Sequence, residues 1–316
     1  MDLADAKEII DRVFNELNKA IIGKYDVLQI TLATIVSGGH VLFEGPPGTA
    51  KTFIVKSIAK VFGGIFKRIQ GNPDLLPTDL TGYYIHRLDG TRYFIEGPIF
   101  TNFLMFDELN RTPPRVQSAL LEALAENQVS IEGETHVLKQ PFHVFATEVP
   151  IDIEIGVYPL TITLRDRFWV RIHIGYNVIG EEYEIVKNSD KLYLVKTDIE
   201  QVSSVNDLLE IRKVIDEKIY VSDKVVKYIV DLVNYIRGNK HVSIGPSHRA
   251  GIYLYRVAKA LALMDKRDYV IPDDVKKAAP YVLPHRIVVS RESELQGVKP
   301  EDIVREALKM VEVPKE

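Results

Sequence analysis

Two short runs hold the residues best suited to chemistry. Gly45-Pro46-Pro47-Gly48-Thr49-Ala50-Lys51-Thr52 follows the apolar run His40–Glu44 and precedes a helical pattern; Asp107-Glu108 closes a second apolar run, Phe103–Phe106. Glycines let successive backbone N–H groups curl around a phosphate, and a helix starting at the end of the loop adds its dipole. In such a loop Lys51 reaches the β- and γ-phosphates of ATP, and Thr52 offers its hydroxyl to Mg2+. The lysine is normally preceded by glycine. Ala50 stands there instead, a variant the loop tolerates where the φ of that residue is negative. Asp107, at a strand end, would hold the metal through water, and Glu108 would polarise the attacking water as general base. An Asp-Glu pair by itself more often caps a helix; beside a Lys51-type loop the catalytic reading prevails.

These groups need a parallel sheet to carry them. His40–Glu44, Ile65–Gln70, Asn102–Asp107, Phe142–Thr147 and Trp169–Ile174 read as strands, three with near-continuous apolar cores suited to burial on both faces. Helical stretches such as Thr52–Phe62 and Pro114–Glu126 lie between them, the second with Val116, Ala119, Leu120, Ala123 and Leu124 on one stripe. This alternation predicts an α/β fold with crossover helices. Asp89-Gly90 is a strong hairpin signal and Glu132-Gly133 a weaker one, so two hairpins, about 81–96 and 128–138, should project from the sheet. Beyond about residue 175 the strand signals fade. Helical spacing of Val226, Ile229, Val233 and Ile236, with Ser247 as a cap for the next helix, predicts an all-helical second domain. The expected division is a nucleotide-binding core over 1–178, a polar linker over 179–200 and a helical lid over 201–316.

Composition agrees with that plan. The 316 residues exceed the roughly 250–300 at which a single core stops growing. Lys plus Arg (40) nearly balances Asp plus Glu (44), so no whole-molecule charge favours nucleic acid. The absence of cysteine excludes disulfides and thiolate catalysis. The start, Met1-Asp2-Leu3-Ala4-Asp5, has no signal-peptide pattern, and no stretch nears the roughly 18 apolar residues of a membrane span. A cytoplasmic protein without a membrane span is expected. His40, His143 and His173 sit singly in strands without ligand spacing.

The runs GGHVLFEGPPGTAKT (38–52), RIQGNPDLLPTDLTG (68–82), FDELNRTPPRVQSALLEALAENQVS (106–130), YPLTITLRDRF (158–168), GPSHRA (245–250) and RDYVIPDDVKKAAPYVLPHRI (267–287) resemble the MoxR family of AAA+ ATPases over nearly the whole chain. The resemblance implies a P-loop core with a five-stranded parallel sheet of order 5-1-4-3-2 and a helical lid packed over the nucleotide. It implies hairpins facing a ring pore, and ATP with Mg2+ bound between core and lid. Ile22 and Gly23, after Ile21, match the segment that lines the adenine pocket, although an apolar pair there could equally be core. Arg167 matches the arginine finger, which reaches the γ-phosphate of the adjacent subunit of a hexameric homo-oligomer. A guanidinium suits that task because it is always charged and meets phosphate with a planar fork. Arg249 matches the lid arginine that contacts phosphates of its own subunit. Both could instead be surface ion-pair partners. The implied activity is chaperone-like remodelling of client proteins, with partners that carry von Willebrand factor A domains.

One stretch departs from the family. Where Ala-Thr-Gln-Asn-Pro is usual, this chain has Ala146-Thr147-Glu148-Val149-Pro150, and valine cannot position water as the asparagine does. Losing such a contact commonly costs on the order of 10²–10³ in rate, so slow hydrolysis is expected. Thr147 is a better substitute than Glu148, whose charge sits badly near a γ-phosphate. The loop Ile151–Arg165 is also longer by one residue, which loosens the placement of Arg167. Two alternatives follow: a nucleotide-gated scaffold that hydrolyses little, and a nucleic-acid motor gripping a strand through His86, Arg87, Arg92, Tyr93 and Phe94.

Overall fold

The structure, a computed structural model, describes residues 1–149, 157–189 and 199–314. Helix α1 (Leu3–Ala20) opens with a capping box: Asp5 donates its N–H to Asp2 Oδ1 at 2.8 Å, and Asp2 N–H returns to Asp5 Oδ2 at 3.1 Å. Helix α2 (Tyr25–Val36) is buried without interruption from Leu28 to Val36, as suits a helix covered on every side. Then come β1 (Val41–Glu44), α3 (Lys51–Val61), β2 (Phe66–Gln70), α4 (Pro77–Thr81), β3 (Gly82–His86), β4 (Arg92–Glu96) and β5 (Phe103–Asp107). After a 3-10 turn at Leu109–Arg111 the chain forms α5 (Pro114–Glu126), β6 (Gln128–Ile131), β7 (Glu134–Val137), β8 (His143–Glu148), α6 (Ile162–Arg165), β9 (Val170–His173) and α7 (Ile179–Lys187).

The five core strands lie in the order β2-β5-β8-β1-β9, every pair parallel. Renumbered one to five along the chain, that is the expected 5-1-4-3-2. Both faces are buried, which explains the unbroken apolar runs. Phe43, Met105 and Phe145 enter one core, while Leu42, Leu104, Phe106 and Ala146 enter the other. The pairs β3–β4 and β6–β7 form separate two-stranded sheets outside the main one.

The C-terminal part is helical: α8 (Val205–Lys218), α9 (Asp223–Arg237), α10 (His248–Met264), α11 (Pro272–Val282), α12 (Arg291–Leu295) and α13 (Pro300–Met310). Ser204, Ser222, Ser247 and Ser290 cap four of them with their hydroxyls. One short antiparallel pairing, β10 (Val242–Ile244) with β11 (Val288–Val289), interrupts the helices. Its strands are too short to leave an alternation in the sequence. The segment expected as a linker carries α7, none of whose residues is buried; 190–198 lies outside the described residues, as do 150 and 151–156 of the lengthened loop.

Candidate active site

The loop after β1 curls as the glycines demand. Gly45 has φ +142°, and a Cβ there would come within 2.2 Å of the Ile174 carbonyl. Ala50 departs from the sequence reading, which required a negative φ. It sits at φ +67° and ψ +17°, in the left-handed region that favours glycine, and it caps α3 without a side-chain bond. Lys51 Nζ folds back to donate to the Gly45 carbonyl (2.9 Å), the Pro46 carbonyl (2.7 Å) and Thr49 Oγ1 (3.3 Å). Partial burial lowers the lysine pKa, opposed by the charges of Asp107 and Glu108. The first N–H groups of α3 have no partner within the helix and are free to meet an anion.

The acidic half rises from the end of β5. Thr52 Oγ1 donates to Asp107 Oδ2 at 3.2 Å, which puts hydroxyl and carboxylate at one point. These are hard oxygen donors of the kind magnesium takes, so the residues fit that ion. Arg68 Nε, from neighbouring β2, lies 2.5 Å from the same Oδ2. Glu108 takes a left-handed backbone, φ +54° and ψ +48°, and donates its N–H to Thr147 Oγ1 at 2.6 Å. Its Oε2 lies 2.8 Å from Arg111 Nε. Strained backbone at Ala50 and Glu108 alike is the pattern of a functional loop held in place by its surroundings. A Cβ on Gly71 would lie 2.1 Å from the Glu108 carbonyl, so only glycine lets β2 end so close to it.

Lys51, Thr52, Arg68, Asp107, Glu108 and Thr147 line one cavity of ≈ 410 Å³. A second, largely apolar cavity of ≈ 320 Å³, lined by Ala20, Ile21, Ile22, Phe53 and Ile185, shares the Gly48–Ala50 stretch with the first. Side by side they give a charged chamber and an apolar one, the two halves a nucleotide needs. Gly23 is not among the lining residues of either; its φ of +70° turns the chain away, and Asn177 Nδ2 holds the preceding Ile22 carbonyl at 2.9 Å.

Val149 lines the charged cavity and brings it no polar side chain. Asn110 grips its backbone on both sides, donating from Nδ2 to the Val149 carbonyl (2.8 Å) and accepting the Val149 N–H at Oδ1 (3.0 Å). Thr147 Oγ1 lies 3.5 Å from Asp107 Oδ1, closer to the chemistry than any other hydroxyl of this strand end. Glu148 is nearly buried, which raises its carboxyl pKa, and faces Arg165 Nε at 3.5 Å. Arg68 and Asn110 were not singled out from the sequence. The signal for Arg68 was a charged residue in a strand that the fold places beside β5.

Arg167 and Arg249 line neither cavity. Strands β1 and β9 run parallel, Val41 beside Val170 and Glu44 beside His173, and Trp169 N–H donates to the His40 carbonyl at 2.9 Å. Arg167 therefore precedes the end of the sheet remote from the phosphate loop, roughly 13 Å away along a four-residue strand. Arg249, which the resemblance assigns to the phosphates of its own subunit, is not among the residues that line the charged cavity. Its Nη1 binds Asp166 Oδ2 at 3.2 Å; Ser247 Oγ donates to the same oxygen (2.9 Å), and Arg286 Nε binds Asp166 Oδ1 (3.0 Å). Fully buried Arg286 donates besides to the carbonyls of Asp166, Phe168 and Trp169; burial lowers its pKa to about 10, opposed by Asp166. Among the described residues the lid contributes no lining residue to either cavity. It leans on α2 and the start of β9, through Ser37 Oγ to the Arg256 carbonyl (3.1 Å) and Trp169 stacked on Tyr253 at 4.5 Å.

The two hairpins are bonded to each other. His86 Nε2 meets Glu132 at 2.9 Å, Tyr84 and Arg92 both bind Glu134, and Phe94 stacks on His136 at 4.3 Å. Tyr83, Ile85, Leu88, Tyr93 and Ile95 remain exposed on the outside. Among the described residues no helix is long and apolar enough to cross a membrane.

Comparison with known proteins agrees with this architecture. Residues 40–170 match the model of the ATPase family associated with various cellular activities, and 237–307 match the AAA lid domain. The uncharacterized protein YeaC of Bacillus subtilis is 38% identical over 311 residues, 98% of this chain and 96% of that one. Chaperone MoxR1 of Mycobacterium tuberculosis is also 38% identical, over 99% of this chain and 84% of its own. A crystal structure from Cytophaga hutchinsonii, provisionally named an ATPase, superposes with a TM-score of 0.90 at 38% identity and covers 99% of this chain and 97% of that one.

Proposed function

Because the chain belongs to the MoxR family of AAA+ ATPases, we propose that the charged cavity binds and hydrolyses Mg·ATP and that turnover drives remodelling of client proteins. The observation that carries this reading is the Thr52 hydroxyl 3.2 Å from the Asp107 carboxylate, in a cavity that also holds Lys51 and Glu108. Lys51 leaves the Gly45 and Pro46 carbonyls for the β- and γ-phosphates. Glu108 turns its Oε2 from Arg111 to a water and takes the proton as the water attacks. Thr147 holds Glu108 N–H and so fixes where that carboxylate begins. Magnesium, bound at Thr52 and Asp107, would supply charge neutralisation of the phosphates. The apolar chamber with Ile22 takes the adenine.

We assign 1–178 to the core, 179–200 to the connection and 201–316 to the lid. Arg167 follows Asp166 directly and Arg249 binds it, away from the phosphate loop, so both would serve the nucleotide of a neighbouring subunit, most simply in a hexameric ring. Trans-acting arginines of this kind are worth roughly 10³–10⁵ in turnover. The exposed apolar side chains of the first hairpin suit a polypeptide client, while His86 and Arg92 are tied to Glu132 and Glu134 rather than offered to a nucleic acid. A protein with a von Willebrand factor A domain is the partner class the family implies. Val149 supports one second reading, a scaffold that assembles on ATP and hydrolyses little.

Phosphate release measured beside size-exclusion in Mg·ATP tests both readings. The motor predicts turnover that is lost in Arg167→Ala while nucleotide is still bound, and Lys51→Ala should lose the nucleotide itself. No turnover in an ATP-dependent assembly leaves the scaffold, and undiminished ATP uptake by Lys51→Ala refutes the site.

A further inference from the structure

Glu148 and Arg165 have no part in the chemistry above, yet they connect its two ends. Glu148 lines the phosphate cavity and its side chain is only 11% exposed. Its buried Oε1 accepts no hydrogen bond and lies 3.5 Å from Arg165 Nε. Arg165 is the last residue of α6, a helix of four residues, and Asp166 and Arg167 follow directly. Arg167 Nε is buried and without a hydrogen-bond partner, so that atom does not latch the loop. Asp166 carries the lid through Ser247, Arg249 and Arg286. A pull on Arg165 therefore acts on one short turn that bears the finger on one side and the lid on the other.

We propose that Glu148 and Arg165 are a relay by which a γ-phosphate in a subunit's own cavity repositions the loop that carries Arg167. The triphosphate brings negative charge against Glu148 and attracts Arg165; the pair, long at 3.5 Å and buried on the Glu148 side, is set to open or shift. Burial already raises the Glu148 pKa, so its charge is weakly held before nucleotide arrives. Glu148 and Arg165 act as positioning residues, and the site of one subunit reports its state to the finger that serves the next. The relay rests on the reading of Arg167 as that finger.

The sequence provides a reporter. Trp169 is the only tryptophan, two residues beyond Arg167, and its ring stacks on Tyr253 of the lid. Tryptophan emission is recorded while Mg2+ and an imido analogue of ATP are added, with ADP as the control lacking a γ-phosphate. Calorimetry follows binding, and light scattering follows mass so that association is not mistaken for the relay. The parent should show an emission change with the analogue that ADP does not give. Glu148→Gln, and the more exposed Arg165→Gln should the first fold poorly, should bind the analogue within about threefold of the parent and lose most of that change. A variant that binds and keeps the whole change overturns the relay. A parent that binds with no change overturns the relay alone, and a parent that binds nothing overturns the ATP-site reading with it.

Discussion

Replacing Ala50 with glycine should stabilise the protein, although it removes a methyl group. Ala50 holds φ +67° at the entrance to α3, and a left-handed conformation costs a residue with a Cβ roughly 1–2 kcal/mol. Glycine adopts it freely but loses more chain entropy on folding, which offsets roughly 0.5–1 kcal/mol. The methyl is exposed at the cavity rim, so little apolar burial is lost. The net gain is about 0.5–1 kcal/mol, on the order of 2 °C in melting temperature for a chain of this size. Thermal melting and urea unfolding measure it, the second with an unchanged slope. A melting point equal to or below that of the parent would refute the argument that the backbone at this position is strained.

Val149→Asn should raise turnover by roughly tenfold or more while leaving the nucleotide dissociation constant unchanged, measured by steady-state phosphate release; an unchanged rate would mean that this position does not face the attacking water. Arg286→Met should cost about 3–5 kcal/mol because it takes the buried cation from Asp166, leaving only half-exposed Arg249 beside it, and strands the carbonyls that Arg286 satisfies; urea unfolding should show the loss. Stability should also fall as pH drops from about 6.5 toward 4. Burial, aided by the charge of Arg212, lowers the His40 pKa to about 4, so the unfolded chain takes up protons first and the folded state loses its advantage across that window. His143 and His285, lowered for the same first reason, act in the same sense, and Glu148, whose pKa is raised, acts against them. His40→Gln should flatten this slope; an unchanged pH profile of urea midpoints would contradict it.

What the sequence could disclose depended on how local the cause was. The five core strands follow from runs such as Phe103–Phe106 because a strand buried on both faces has no polar side to show, and the phosphate loop follows from glycine spacing. The sign of φ at Ala50 did not follow: residue type only biases a dihedral, and the loop here overrides the bias. The seat of Arg249 depended on how the lid docks, which Arg286 and the Trp169–Tyr253 stack decide across more than eighty residues of chain. Arg68 and Asn110 stayed hidden because each acts on an atom from another strand, and a short polar residue in a motif has no period to betray its target. The pairing of β10 with β11 joins segments too brief to alternate.

The coupling between the hairpins has a consequence for descent. Glu132, Glu134 and His136 on one answer Tyr84, His86, Arg92 and Phe94 on the other, so neither hairpin is finished by its own residues. A lineage that dropped one would leave the other with orphaned charges and a bare aromatic ring. Cousins of this protein should therefore keep the two prongs as a set or shed both, and a chimera that borrows only one should inherit a fault.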